Sequence, residues 1–164
     1  MGGDTISVKY NIKIKERGAV PRKLRKVYTR GSKVAWFEAG KHFHADMRDE
    51  RFTEEHARKA RYVKRSDKYT RYKEKKFGHR NPLEFSGQTR RLVRTSRISS
   101  TSKGSKVRYP GARKFNFRNP NSPIHMQKEF RRLTADEKRR LAKEYDEVLN
   151  REMNADNTTT TRTL

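Results

Sequence analysis

The sequence predicts an α+β fold in which a small antiparallel sheet packs with a long N-terminal helix and a C-terminal helix, and which carries an extended basic arm or loop. Three observations predict it: apolar and polar residues alternate near the N-terminus, a long central stretch has helical spacing, and a capped amphipathic segment follows near the C-terminus. We expect an N-terminal strand or arm over residues 1–17, a single α+β domain over 18–153 with a long basic loop at about 61–82, and a disordered polar tail over 154–164.

The first element is a strand. Its apolar positions alternate with polar ones, many of them lysines, which is the period of a half-buried strand. The lysine-bearing face suits an exposed sheet surface or a protected edge. The apolar positions are Ile6, Val8, Tyr10, Ile12 and Ile14.

A long helix is expected over residues 22–48, where apolar residues recur every three or four positions after Pro21. Gly31 and Gly40 fall near the apolar stripe and mark either close helix packing or a break. Thr53, followed by two glutamates, predicts the N-cap of a shorter helix. The residues expected to form the core are Trp36, Phe37, Phe43, Leu141, Tyr145 and Leu149.

Between residues 62 and 80 the pattern disappears, and aromatic residues are interleaved with lysines and arginines. This predicts an irregular, extended loop, and a loop of this length is usually functional or disordered when free. Turn signals then predict a short helix within 88–94, a hairpin of strands 97–99 and 106–109, and a short strand at 115–117.

The C-terminal helix begins with a capping box, because Thr134 and Glu137 have the required spacing. Leu141, Tyr145 and Leu149 then form one apolar face. After Met153 the chain is polar and of low complexity, which predicts a tail that does not fold.

Composition excludes several classes. The chain has 164 residues and no cysteine, which rules out disulfides, thiolate zinc sites and cysteine nucleophiles. No apolar run is long enough to span a bilayer, so we expect a soluble intracellular protein with no membrane partner. The net charge of +24 favours a polyanionic neighbour, either nucleic acid or an acidic protein surface.

The positive charge is concentrated in one part of the chain. Residues 56–118 contain 21 lysines and arginines and only three acidic residues, whereas residues 126–164 are almost neutral. The basic character therefore belongs to the first three quarters of the chain, and its densest part includes the segment that the pattern leaves irregular.

The sequence predicts no enzyme, no cofactor and no small-molecule substrate. It contains no nucleophile elbow, P-loop, zinc-protease or dinucleotide-binding motif. His42 and Asp46 are at helical i,i+4 spacing, but no third metal ligand accompanies them in a motif. Asp49 and Glu50, with Asp46, are the remaining option for acid–base chemistry, and they read better as a solvated helix end.

The segment from Arg61 to Phe77 and the residues just after it supply the candidate sites. Aromatic rings there either anchor an interface with a neighbouring subunit or stack on bases, and the cations contact either phosphates or an acidic partner. The candidate interface residues are Tyr62, Tyr69, Tyr72, Phe77, Leu83 and Phe85. The candidate contacts to nucleic acid or an acidic partner are Arg61, Lys64, Arg65, Arg71, Lys73, Lys75, Lys76, Arg90 and Arg91.

The order of motifs carries a resemblance. The residues from Ala35 to Gly40 precede the segment from Asn81 to Leu92, which contains Pro-Leu, Ser-Gly and two arginines; a basic hairpin, Met126 to Phe130 and the capped helix follow. This series resembles the small virion-morphogenesis proteins of tailed bacteriophages, the neck or tail-completion group at the head–tail connection.

The resemblance implies a structural virion protein, made in the host cytoplasm, that forms an oligomeric ring at the head–tail junction. It implies contacts with other copies of the chain, with other neck, portal and tail proteins, and with packaged DNA. The alternative is a basic RNA- or DNA-binding protein of the ribosome-associated kind, with the same basic arm following phosphates.

Overall fold

The structure, a computed structural model, describes residues 6–10, 22–112, 115 and 120–160, with side chains for 24–112, 115 and 120–155. Most of the expected N-terminal arm and of the expected strand at 115–117 lies outside these residues. The architecture is α+β, as the sequence predicts. No helix in the described part is both long and apolar enough to cross a membrane.

The sheet has three antiparallel strands: β1 (Ile6–Tyr10), β2 (Arg97–Thr101) and β3 (Gly104–Tyr109). β3 is central and pairs with both others, so the strand order is β1-β3-β2. Ser102 and Lys103 make the two-residue turn between β2 and β3, which confirms the predicted hairpin. The strand predicted at the N-terminus is confirmed over β1.

Helix α1 spans Arg22–His42 and continues through a π-helical turn at Phe43–Met47, which confirms the long helix predicted over 22–48. A short 3₁₀ turn, Asp49–Phe52, leads to α2 (Glu54–Lys59). The Thr53 hydroxyl accepts a hydrogen bond from the His56 amide at 3.1 Å, so the predicted N-cap is present.

Helix α6 (Ala135–Thr160) packs along α1. Its capping box is complete: Glu137 accepts from the Thr134 amide at 2.7 Å, and Thr134 accepts from the Glu137 amide at 3.2 Å. The helix continues past the boundary expected at residue 153, so the backbone of residues 154–160 is helical where an unfolded tail was expected.

Gly31 marks close helix packing. A β-carbon at this position would lie 3.2 Å from Cβ of Glu152 and 3.4 Å from Cδ1 of Leu149. Farther along the same contact, the rings of Trp36 and Tyr145 lie 4.6 Å apart. The two helices therefore approach each other closely at Gly31.

The core lies between the sheet, α1 and α6. Its residues include Trp36, Phe43, Leu141 and Tyr145, as predicted, with Leu149 packed against its edge. The prediction for Phe37 is wrong, because this side chain is 39% exposed. The residue before it, Trp36, turns inward, and consecutive helical side chains are about 100° apart, so Phe37 points away from the core.

The prediction of an irregular loop is also wrong for its central part. Helix α3 occupies Asp67–Phe77 and is followed by α4 (Gln88–Leu92) and, after the hairpin, by α5 (Met126–Arg131). The Ser66 hydroxyl caps α3 by accepting from the Tyr69 amide at 3.3 Å, and Gly78 ends the helix in the left-handed region at φ 72°. These two residues supply the start and stop signals that the apolar pattern lacked.

Candidate functional site

Lys73 fixes the segment after α3 onto the helix. Its side chain is buried, and its ammonium donates hydrogen bonds to the carbonyl oxygens of Asn81 and of Glu84, the latter at 3.0 Å. Burial lowers the pKa of Lys73. The segment 78–87 therefore has a fixed position on α3 although it has no regular secondary structure.

This attachment brings aromatic rings from both segments together. The ring of Phe85 stacks with those of Tyr69 and Tyr72, at centroid distances of 6.2 and 6.5 Å, and meets the edge of Phe77 at 4.6 Å. We call these four residues the aromatic patch. Tyr69 is 40% exposed, Tyr72 51% and Phe85 40%, so most of the patch faces solvent.

Two predicted interface residues lie elsewhere. Tyr62 is packed against the core, its ring 5.5 Å from that of His56, and burial raises the pKa of its hydroxyl. Leu83 is buried in the core. Tyr62 is only partly exposed and Leu83 is buried, so the aromatic patch contains four of the six predicted interface residues.

Two of the predicted cationic contacts are structural. Arg65 forms a bidentate pair with Glu129, at 3.0 and 2.5 Å, and Glu129 also accepts from the Val63 amide at 2.9 Å. Lys73 is engaged with backbone carbonyls. Their charges hold α5 and the segment after α3 in place rather than facing a partner.

Other predicted contacts form exposed ion pairs. Lys64 lies 3.5 Å from Asp67, and Arg90 lies 3.4 Å from Asp49. The Arg48 guanidinium, more than Arg90, lowers the pKa of Asp49. The exposed residues with no ion pair among the described side chains include Arg61 and Arg91.

The solvent face of α3 is a cationic stripe. Lys68, Arg71 and Lys75 occupy positions i, i+3 and i+7, all are exposed, and none has an ion pair within the described part of the chain. Lys76 lies over the ring of Tyr72 at 5.5 Å and donates to its hydroxyl at 3.0 Å. The stripe therefore borders the aromatic patch. Lys68 was not among the predicted contacts, because the helical spacing that places it there was not recognised.

A groove of about 710 Å³ lies beside the aromatic patch. Its lining includes Tyr69, Leu83 and Phe85, together with Ile124, which the sequence did not single out, and Met126, the first residue of the motif Met126 to Phe130. The chain between β3 and α5 reaches this place only through the tertiary fold. No local pattern in the sequence signals it.

Asp49 and Glu50, which were considered for acid–base chemistry, are paired with arginines. Asp46 Oδ2 lies 2.8 Å from Nδ1 of His42, at the i,i+4 spacing that the sequence indicates. Glu50 accepts a bidentate pair from Arg140 at 3.0 and 2.7 Å. Glu50, His56 and Glu137 present possible metal-ligand atoms within 4.8 Å of one another. However, Glu137 forms an ion pair with Arg51, and Glu50 forms one with Arg140. These guanidinium groups would repel a metal ion at that position.

Comparison of the chain with protein-family models, with curated proteins and with solved structures gives no match. Function therefore has to be inferred from the residues of the site and their geometry.

Proposed function

We propose that this chain is a structural protein of a tailed-bacteriophage particle, a subunit of an oligomeric ring at the head–tail junction, of the neck or tail-completion type. It acts by shape and interface contacts. Its proposed partners are further copies of the chain and the other neck, portal and tail proteins, with packaged DNA nearby. Its proposed location is the assembled virion.

The aromatic patch is the observation that carries this proposal. Exposed clustered rings are costly on an isolated monomer and are typical of protein–protein interfaces. Here the rings of Tyr69, Tyr72 and Phe85 are held on a capped helix and on the segment that Lys73 attaches to it. A patch fixed in advance loses little conformational entropy when it binds, which suits an assembly contact.

The sequence resemblance supports the same surface. Its most specific part runs from Asn81 to Leu92, and this segment contributes Phe85 to the patch and is attached to α3 through Lys73. Contact with a neighbouring protein of the junction is therefore the one role proposed for both the motif and the exposed rings.

Inactivating the gene in the genome that encodes the chain tests the proposal. Electron microscopy should then show DNA-filled heads and free tails that fail to join, and supplying the chain in trans should restore whole particles. Mass spectrometry of purified wild-type particles should detect the chain. Normal infectious particles from the inactivated genome would refute a role at the junction.

A second candidate function, binding of RNA or DNA, is favoured by the cationic stripe. Lys68, Arg71 and Lys75 are available to neutralise phosphates. If they do, replacing all three with Ala should reduce the slope of log affinity against log salt by about 2.7 for duplex DNA. Ring-sized assemblies that survive high salt favour the structural role, whereas a monomer whose nucleic-acid affinity falls steeply with salt favours this second one.

A further inference from the structure

The groove beside the aromatic patch is the strongest candidate for a specific binding site. It shares Tyr69 and Phe85 with the patch and continues over Leu83 to Ile124 and Met126. Its volume of about 710 Å³ is within the range of sites that enclose several side chains or a small ligand.

The charged groups that line the groove already have partners within the chain. Arg65 is paired with Glu129, and the Lys73 ammonium donates to backbone carbonyls. Glu84 accepts a hydrogen bond from the Asn81 side chain at 3.3 Å. The cations that line the groove are therefore not free to bind a phosphate. Its apolar lining residues suit a bulky apolar side chain.

The surroundings of the groove are positively charged. Exposed cations adjoin its lining residues in the chain: Lys68 precedes Tyr69, Arg91 is two residues after Thr89, and Lys128 is two residues after Met126. No ion pair to any of these three cations is present in the described structure. The acidic residues of α3 do not offset them, because they pair elsewhere: Asp67 with Lys64 and Glu74 with Arg80. A ligand of this groove binds more tightly if it carries negative charge on either side of the apolar side chain that enters the groove.

We propose that the groove binds an acidic protein segment, anchored by one bulky apolar side chain that enters the groove and contacts its apolar lining, which includes Phe85 and Ile124. This rests on the proposed assembly function and names the partner chemistry of that surface. A second copy of the chain is a poor occupant of this groove, because it would bring a net charge of +24 to a surface that is already basic. Contacts between copies in the ring use other surfaces. The segment belongs to a different protein of the junction.

Fluorescence anisotropy with two short labelled peptides tests the proposal. Both consist of Asp and Glu residues around one central position, which is Leu in one peptide and Ser in the other. The Leu peptide should bind the full chain about tenfold more tightly than the Ser peptide, because only the Leu side chain enters the groove. Equal affinities, or no binding at millimolar peptide, would overturn the proposal.

Two variants locate the binding. Phe85→Ala should weaken the Leu peptide about tenfold and leave the Ser peptide unchanged. Phe37→Ala is the matched control, because Phe37 is 39% exposed on α1 and lines no part of the groove. If Phe37→Ala reduces binding as much as Phe85→Ala, the groove is not the site and the proposal is wrong.

Two competing occupants give different results. An oligothymidylate that displaces the Leu peptide and itself loses affinity in Phe85→Ala would identify the groove as a nucleic-acid site. Self-association of the chain would identify a second copy as the occupant if it is lost in Phe85→Ala, which alters the groove, and in Phe37→Ala, which removes an exposed apolar side chain that could enter it. Either result overturns the acidic-segment proposal. Neither alters the gene-inactivation test, so failure here is distinct from failure of the junction role.

Discussion

Arg51 Nη2 lies 3.0 Å from Glu137 Oε1, and the two side chains are 0% and 1% exposed. The pair joins the turn after α1 to the first turn of α6. Arg51 also donates to the Arg132 carbonyl at 2.9 Å, and its guanidinium lies 4.7 Å from the centre of the Phe43 ring. Glu137 at the same time completes the capping box with Thr134. One buried carboxylate thus both begins the last helix and connects it to the first.

Removing Arg51 should therefore be strongly destabilising. Arg51→Met leaves the Glu137 carboxylate buried without its cation, which costs about 3–5 kcal/mol of unfolding free energy. Urea denaturation of the wild type and the variant measures this loss of unfolding free energy. Lys59→Met is the matched control, because the Lys59–Glu55 pair is exposed and such pairs contribute about 0–1 kcal/mol. Similar losses in both variants would contradict a structural role for the buried pair.

Stability should fall as the pH drops below 6.5. Burial lowers the pKa of His56, an effect that Glu137 opposes and Arg51 reinforces. The folded chain therefore keeps the imidazole neutral, accepting from Arg51 Nη1 at 3.2 Å, while the unfolded chain takes up a proton near pH 6.5. The unfolded state binds more protons in this range, so acid favours unfolding.

Urea midpoints measured from neutral pH downward test this dependence. His56→Gln retains a side-chain acceptor for Arg51 but cannot titrate, so its stability should change less with pH than that of the wild type. Burial also lowers the pKa of His44. Because His44 is present in both proteins, it contributes the same dependence of stability on pH to each. Parallel curves for the two proteins would show that His56 does not contribute.

Gly31 should not tolerate a large side chain. Its β-carbon position is already 3.2 Å from Cβ of Glu152, so Gly31→Leu forces α1 and α6 apart. We expect a loss of about 1–3 kcal/mol in unfolding free energy, the usual cost of overpacking. Lys33→Leu, at an exposed position of the same helix, is the control and should change stability little. Unaltered thermal unfolding of Gly31→Leu would mean that the helices do not meet there.

The aromatic patch and the cationic stripe make opposite predictions for assembly. Tyr69→Ala with Tyr72→Ala removes two exposed rings, and we expect this pair to impair incorporation into particles more than Lys68→Ala with Lys75→Ala. Complementation of the inactivated genome, read as the yield of whole particles, measures both. An equal or larger loss from the lysine pair would point to phosphate binding.

Helix α3 illustrates why part of the site escaped prediction. Apolar periodicity identified α1 and α6 because their buried positions are apolar. On α3 the fully buried position is Lys73, a residue type that normally signals a solvated face. Lys73 is accommodated only because two carbonyls from the next segment accept its hydrogen bonds, and no local pattern reveals those partners. Ser66 and Gly78 were the local signals that could have located the helix.

The rest of the site was hard to predict because it depends on contacts between residues far apart in the sequence. The sequence indicated that Tyr69, Tyr72, Phe77 and Phe85 matter, and the structure brings these four together. It did not indicate Ile124, and it gave no sign that Met126 lies beside these rings, because both residues reach the groove from beyond the hairpin. Tyr62 looked equivalent to the other tyrosines in sequence, yet its ring packs on His56, because burial depends on the neighbours of a side chain rather than on its type.

The strand order bears on how the chain is made. Of the three described strands β1 is synthesised first, but its partner β3 comes roughly 100 residues later, and α1 packs on a helix that begins at Ala135. During translation, the part of α1 that packs on α6, Trp36 included, stays uncovered until α6 has emerged. The fold closes late, and the nascent chain carries an exposed apolar helix beside a dense positive charge, the combination that a chaperone or an early-arriving partner would have to shield.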